Sequence, residues 1–430
     1  MKTSIVWFKT DLRLHDNETL IKAISQSDEI IPVYCFDESN FVTTEFGFKK
    51  TGSFRAQFLL ESLIDLDRNL RAKGSGLLII KGRPEVEIPK IVQQYRATKV
   101  FAKKEVSYEE KQTEAKVQEE LFKLKCELKI FSTSTLYHAE DLPFSIKDIP
   151  DVFTNFRKKT EKDAIIRAAF DAPKEIKSPE IEPLQLPTLK ELGLNFEPID
   201  SRAVLQFKGG ETKAIARLNH YFFETKCISE YKETRNGLVG ANYSSKFSAW
   251  LALGCISPRF IYDELKKYET QFEANESTYW LVFELLWRDY FRFMMKKYNS
   301  KFFQQAGIQD KGIIVNKHNT HQLQEWIVGK TGVDFVDANM KELKLTGFMS
   351  NRGRQNVASY LCNDLKLDWR FGAAYFEQQL IDYDVCSNWG NWAYLAGVGN
   401  DPRGNRYFNI NKQSTDYDKN KKYRDLWLKS

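Results

Sequence analysis

At 430 residues the chain exceeds what one ordinary core organises, so two domains are expected. Its net charge of +6 and pI near 8.7 favour a polyanionic partner such as nucleic acid, while the lack of any run of about 18 apolar residues excludes a membrane-spanning helix. The N-terminus MKTSIVWFKTDLRL enters a strand-like apolar run without a signal-peptide pattern, which points to a cytoplasmic protein.

Residues 4–8 read as a buried strand, 15–26 as a short helix and 30–36 as a second strand. An amphipathic stretch over 55–73 leads into a strand at 77–80, a helix at 85–95 and a strand at 99–102. This alternation predicts a doubly wound, Rossmann-like parallel α/β domain over residues 1–132. The turn after the first strand, WFKTDLRLHDN, holds no glycine, so the GxGxxG fingerprint is missing and an NAD site is not expected. Residues 133–200 collect Pro143, Pro150, Pro173, Pro179, Pro183, Pro187 and Pro198 and read as an interdomain connector that wraps the surface. From residue 209 the pattern turns helical, as over 280–298 and 355–365, giving an all-α domain at 201–430. Residues 416–430 are a short charged tail with apolar anchors.

Aromatic residues make up 14% of the chain, and its nine tryptophans exceed what packing requires, which asks for stacking surfaces, redox residues or both. The six cysteines form no CxxC pair and are expected as free thiols. His318 and His321 have no Cys or acidic partner at ligand spacing, so no metal site is expected.

Three constellations carry chemistry. In the segment Tyr243-Ser-Ser-Lys-Phe-Ser248, hydroxyls, a lysine and backbone amides suit a pyrophosphate, although a serine N-cap explains the same residues. Glu284, Trp287, Arg288 and Phe291 share one buried helical face; the alternative is a plain Glu284–Arg288 surface pair. Arg354 and Asp382 suit a bidentate pair, leaving Asp384 and Asn388 for a heteroaromatic ring, or else the Asp and Asn residues cap helices. The GKT at 329–331 is no phosphate loop, because position 324 is Gln324.

These segments, with STLYHAEDLPF, GGET, FMSNRGRQNVASY and LIDYDVCSNWGNW in order, resemble the photolyase/cryptochrome family, most closely cryptochromes of the DASH type. The resemblance implies an antenna-type α/β domain followed by a helical domain holding FAD bent into a U. It places phosphate and ribose contacts on Tyr231, Ser244, Ser245, Lys246, Phe247 and Ser248. Ring contacts fall on Asn351, Arg354, Asp382, Asp384 and Asn388, with Arg288 at the same pocket and Asn388 facing flavin N5. Glu284 and Trp287 line the lesion mouth, with Arg352, Gln355 and Tyr394 as further DNA contacts.

The implied activity is blue-light repair of cyclobutane pyrimidine dimers: excited reduced flavin lends an electron, the ring splits and the electron returns, with Glu284 stabilising the dimer's radical anion. Gln355 and Tyr394 stand where duplex-repairing relatives carry Met and Trp, so less stacking offsets the cost of unpairing and single-stranded DNA is the expected substrate. Trp392 and Trp369 match the inner members of a tryptophan relay, but the outer position falls on Asn316; Trp326 or a tyrosine is the expected substitute, or photoreduction is slow. Lys9-Thr10, Ala249 and Asp334 depart from the family pattern without removing a flavin contact. Glu109 or Glu110 matches the acidic residue that holds a methenyltetrahydrofolate antenna. A monomer is expected. The rival readings are a light sensor with vestigial repair, disfavoured because signalling relatives usually carry a long C-terminal extension, and a dark flavin dehydrogenase, disfavoured by the absent nicotinamide fingerprint.

Overall fold

Six consecutive buried residues, TSIVWF, make the central strand of the molecule. The computed structural model describes residues 2–310, 319–401 and 406–429. Strands β1 (Thr3–Phe8), β2 (Glu29–Phe36), β3 (Leu78–Lys81), β4 (Lys99–Lys103) and β5 (Glu127–Phe131) form one parallel sheet in the order β3-β2-β1-β4-β5. Ser4 lies opposite Ile30 on one side and Lys99 on the other. Helices α1 (Glu18–Gln26), α2 (Ser53–Arg71), α3 (Pro84–Tyr95) and α4 (Tyr108–Lys123) alternate with the strands. Helix α1 starts later than the periodicity predicts because Asn17 caps it, its side chain accepting from Leu20 N at 3.1 Å. Side chains alternate across the sheet: Ile5 and Trp7 enter a small core under α3 and α4, while Val6 and Phe8 enter the main core.

Residues 133–200 contain one helix the sequence reading did not foresee, α5 (Phe153–Asp163). Its sequence FTNFRKKTEKD is charged apart from a narrow stripe, and Phe153, Phe156 and Thr160 are its buried residues. The fully buried Asp289 ties the connector down, accepting from Leu136 N at 3.0 Å and Tyr137 N at 2.9 Å.

Among its described residues the second half is built of helices and loops, with no strand. It comprises α6 (Glu211–Asn219), α7 (Tyr231–Thr234), α8 (Ser248–Ala252), α9 (Pro258–Gln271), α10 (Glu276–Tyr298) and α11 (Thr320–Val328). There follow α12 (Asp334–Thr346), α13 (Asn351–Ser359), α14 (Trp369–Gln379), α15 (Val385–Leu395), α16 (Ile410–Tyr417) and α17 (Lys422–Leu428). Helices α6 and α13 each run on into a π turn, His220–Glu224 and Tyr360–Asp364. Among the described residues no helix is long and apolar enough to cross a membrane.

The glycine-free turn after β1 latches the two halves together. Buried Arg13 donates to the carbonyl oxygens of Gly254 at 2.9 Å, Asp16 at 2.9 Å and Thr133 at 3.0 Å. Glu211, at the start of α6, accepts from Leu14 N, His15 N and the His15 ring, and Arg259 donates to Asp16 at 3.0 Å. Gly210 has φ of 102°, and a Cβ there would collide with Asp65 on α2, so the GGET segment is glycine because two helices meet at it. The main core accordingly runs unbroken from Val6 to Trp427.

Candidate functional site

The loop between α7 and α8 is shaped from behind by Arg217 on α6. Its guanidinium donates to the carbonyl oxygens of Ala241 at 3.0 Å, Ser244 at 3.1 Å and Ser245 at 3.0 Å, and to Asn242 Oδ1 at 2.9 Å. With those carbonyls held on one side, nothing among the described residues accepts from the backbone N–H groups of Ser245, Lys246, Phe247 or Ser248. Lys246 takes a left-handed φ of 62° and Phe247 a right-handed one of −70°, a succession that gathers neighbouring N–H groups into an anion-binding concavity.

Lys246 is buried, and among the described residues no carboxylate lies within ion-pair distance of it. It donates to Ser244 Oγ at 3.2 Å and lies over the Tyr243 ring, 2.8 Å from its centroid. Burial pulls its pKa well below the ordinary lysine value, with Glu342 the strongest opposing charge. Glu342, on α12, is itself buried, which pushes its pKa up to about 7 despite a hydrogen bond of 2.6 Å from the Tyr423 hydroxyl of α17. A buried ammonium without a carboxylate beside a row of amide donors is the donor set a pyrophosphate satisfies. Tyr231 is buried, with Glu284 and Arg235 as its charged neighbours, while Ser248 is exposed.

The second cluster lies across α13, α14 and α15. Arg354 Nη2 reaches both oxygens of Asp382, at 3.0 and 2.8 Å, and its Nε donates to Met349 O at 2.9 Å. The expected pair exists, but one nitrogen straddles the carboxylate where two parallel bonds were expected, because Nε is committed to the backbone. Asp384 caps α15, accepting from Ser387 N at 2.8 Å. Burial alone would raise its pKa; the Arg288 and Arg292 guanidiniums outweigh that and hold it below the usual aspartate value. Asn388 is buried and donates to Ala373 O at 3.0 Å. Asn351 is the exposed first residue of α13, capped by Ser350.

Glu284 does not pair with Arg288. It binds Arg235 at 2.6 Å, and Arg288 turns to the carbonyl oxygens of Ser134 and, at 3.3 Å, Leu251. The surface-pair alternative therefore fails, because Arg288 is consumed by backbone acceptors from the connector and from α8. Burial raises the Glu284 pKa, with Arg235 opposing it. Trp287 meets Tyr394 edge-on at 6.0 Å and stacks on Phe153 of the connector. Arg352 donates to Gln355 Oε1 at 2.9 Å and Asn236 Oδ1 at 3.0 Å, which brings the predicted lesion contacts to the rim beside Arg235.

Trp392 packs on Gly372, one turn after Trp369, and meets Trp326 at 6.2 Å and Phe376 at 5.1 Å. Asn316 lies outside the described residues. At the sheet, α4 opens with Glu109, exposed and paired to Lys50, and Glu110, half-buried, hydrogen-bonded to Ser107 and with its pKa raised by burial. Glu110 is thus the inward-facing member of the pair. Glu105, which follows β4, and Lys50 are the charges that act on it.

Arg217, Arg235, Arg292, Glu342 and Phe153 were missed by the sequence reading. Arg292 had a signal: it continues the four-residue spacing of Glu284 and Arg288 along α10. It bridges Asp384 at 3.7 Å and Glu105 at 3.1 Å, and Glu105 binds Lys103 of β4 at 3.0 Å.

Comparison with known proteins agrees over the whole chain. Residues 4–177 match the family model for DNA photolyase, and residues 280–430 that for the FAD binding domain of DNA photolyase. The chain is 50% identical to a cryptochrome DASH of Gloeobacter violaceus over 99% of its own length and 85% of the relative's. It is also 50% identical to a cryptochrome DASH of Danio rerio, over 99% of this chain and 83% of that one. A solved cryptochrome structure from Synechocystis superposes with a TM-score of 0.97 at 50% identity, covering 100% of this chain and 89% of the other.

Proposed function

The chain belongs to the photolyase/cryptochrome family, in its cryptochrome DASH group, with FAD as its cofactor, and from that premise we propose that it binds single-stranded DNA and repairs cyclobutane pyrimidine dimers in it under blue light. Bound FAD supplies the light-driven one-electron chemistry. The protein's own residues bind, orient and stabilise.

The loop amides of residues 245–248 and Lys246 take the pyrophosphate, with Tyr231 and Ser244 beside them. Arg354, Asp382, Asp384, Asn388 and Asn351 would hold the ring, and Arg288, itself bound to backbone carbonyls, would act through Asp384, which it and Arg292 keep anionic and so able to accept a hydrogen bond. The observation that carries the DNA reading is the half-buried Glu284 carboxyl, ion-paired to Arg235 at 2.6 Å on the helix that presents Trp287. Burial raises its pKa against the pull of Arg235, so the protonated form is reached more readily than in an exposed glutamate, and that form would donate a hydrogen bond to a pyrimidine carbonyl as negative charge grows there. Trp287 and Tyr394 supply the apolar wall, and the Arg352–Gln355 pair makes a polar lip with little stacking surface. Such a lip compensates poorly for opening a duplex, so strands already unpaired are preferred. Glu110 is the residue we assign to a folate antenna.

The deciding experiment irradiates dimer-containing oligothymidylate and the same lesion in duplex with blue light. Repair confined largely to the single strand, with an action spectrum following the bound chromophores, is expected. Equal rates on duplex sink the single-strand reading.

A further inference from the structure

Trp369 and Trp389 meet edge to face, ring centroids 5.8 Å apart and planes at 75°. Trp389 is buried, and its indole N–H is shared between Glu377 Oε2 at 3.2 Å and Tyr383 Oη at 3.3 Å. That partner matters because an indole that loses an electron becomes a strong acid. A base in hydrogen-bond contact then takes the N–H proton and traps the hole as a neutral radical. The neighbouring tryptophans lack such a base. Trp369 donates to Gln305 O at 3.1 Å and Trp326 to Val357 O at 3.1 Å, and a peptide carbonyl takes no proton near neutral pH. Trp392 meets Trp326, which in turn meets Tyr375 at 5.8 Å, and it packs on Gly372 of the helix that carries Trp369, whose neighbour Trp389 is an indole beside a carboxylate.

We propose that Trp389 is the proton-releasing end of the electron relay serving the flavin pocket, with Glu377 as the acceptor of its indole proton; this rests on the flavin reading above. The step balances as follows: Trp389 gives one electron to the oxidised Trp369 indole, which returns to its neutral form. The Trp389 N–H bond breaks and its proton passes to Glu377 Oε2, making a carboxylic acid. The initial oxidant is light-excited oxidised flavin; a thiol in solution then gives one electron to Trp389, leaving as a thiyl radical with its proton released to water, and Glu377 returns its proton to the indole nitrogen. Burial raises the basicity of Glu377, while the Arg55 and Lys50 charges favour its ionised form. Arg55 also lies over the Tyr383 ring at 4.5 Å and donates to the backbone carbonyl of Glu377 at 3.1 Å, which ties the two residues to α2. The half-buried rings of Phe46 and Phe303 also pack against Trp389, at 6.3 and 5.0 Å.

The test uses the purified protein with its FAD oxidised, excited by a blue pulse and followed by transient absorption and spin resonance. Wild type is expected to convert an indole radical cation into a neutral indole radical, with a solvent deuterium effect. In Trp389→Phe the neutral radical is lost and photoreduction by added thiol falls with it. In Glu377→Gln, nearly isosteric and so the safeguard against a folding defect, the cation persists and the deuterium effect disappears. FAD bound per chain reports whether each variant is intact. Wild-type radical spectra and yields in Trp389→Phe, or wild-type deprotonation in Glu377→Gln, overturn the proposal. A purified chain that takes up no FAD overturns the flavin reading instead, a result that neither radical signal can imitate.

Discussion

Phe153 lies face to face with Trp287, ring centroids 3.6 Å apart and planes within 14° of parallel. The stack couples connector helix α5 to the indole at the proposed lesion mouth. Replacing Phe153 with Ala removes a buried ring, for about 3–5 kcal/mol of stability, and frees Trp287 to rotate. Weaker binding of a dimer-containing strand at normal FAD content is expected in fluorescence anisotropy. Unchanged affinity in a folded variant would show that Trp287 holds its place without the stack.

Arg217→Met should expel the cofactor. The substitution leaves three loop carbonyls without their donor, at a cost of about 1–3 kcal/mol for each group that stays buried and unpaired. Flavin absorbance per chain after gel filtration measures the loss. Full occupancy would mean that the loop keeps its shape unaided.

Lys246→Met separates cofactor affinity from fold stability. Deleting one partner of a buried charge contact weakens FAD binding by about 2–5 kcal/mol, while the flavin-free chain sheds an ammonium that burial penalises and melts no lower than wild type. A variant with parallel losses in melting temperature and affinity would contradict this division.

Glu284→Ala should lower the dimer-repair rate about a hundredfold with FAD content unchanged. In the wild type, repair should decline as pH rises through the raised pKa of Glu284, because the donor is its protonated form. A flat pH profile and a mild effect of the alanine would remove Glu284 from the reaction.

Glu342 makes stability depend on pH. Its folded pKa of about 7 lies above the ordinary 4.5, so its stabilising contribution is complete below about pH 4.5 and is lost as pH rises through 7, a span worth up to about 3 kcal/mol. Urea titrations of wild type and Glu342→Gln across that window should show a slope in the first that is smaller in the second, where buried Asp289, also raised to about 7, still contributes.

The residues legible in sequence were those whose chemistry is concentrated in one segment. Ser245, Lys246 and Phe247 sit in a single loop, Asp382 and Asp384 in a single turn, and the strand alternation at 4–8 and 99–102 announced the sheet. What could not be read were residues that act on those segments from far along the chain. Arg217 shapes a loop more than twenty positions later, Arg235 answers Glu284 from another helix, and Phe153 sits in a stretch whose prolines and charges concealed α5. The turn WFKTDLRLHDN was recognised for what it lacks, a phosphate fingerprint. Its actual partners, Glu211, Gly254 and Arg259, are visible only once the halves meet.

The latch around Arg13 and the ladder from Lys103 through Glu105 and Arg292 to Asp384 leave the carboxylate nearest the proposed ring site braced by a β-strand of the other half. Charges pinned in this way shift little when a neighbouring group gains or loses an electron, so the reorganisation energy of the step stays low. A stiff scaffold of this kind suits the proposed light-driven step, and it draws the sheet, through Lys103, into support of the ring pocket.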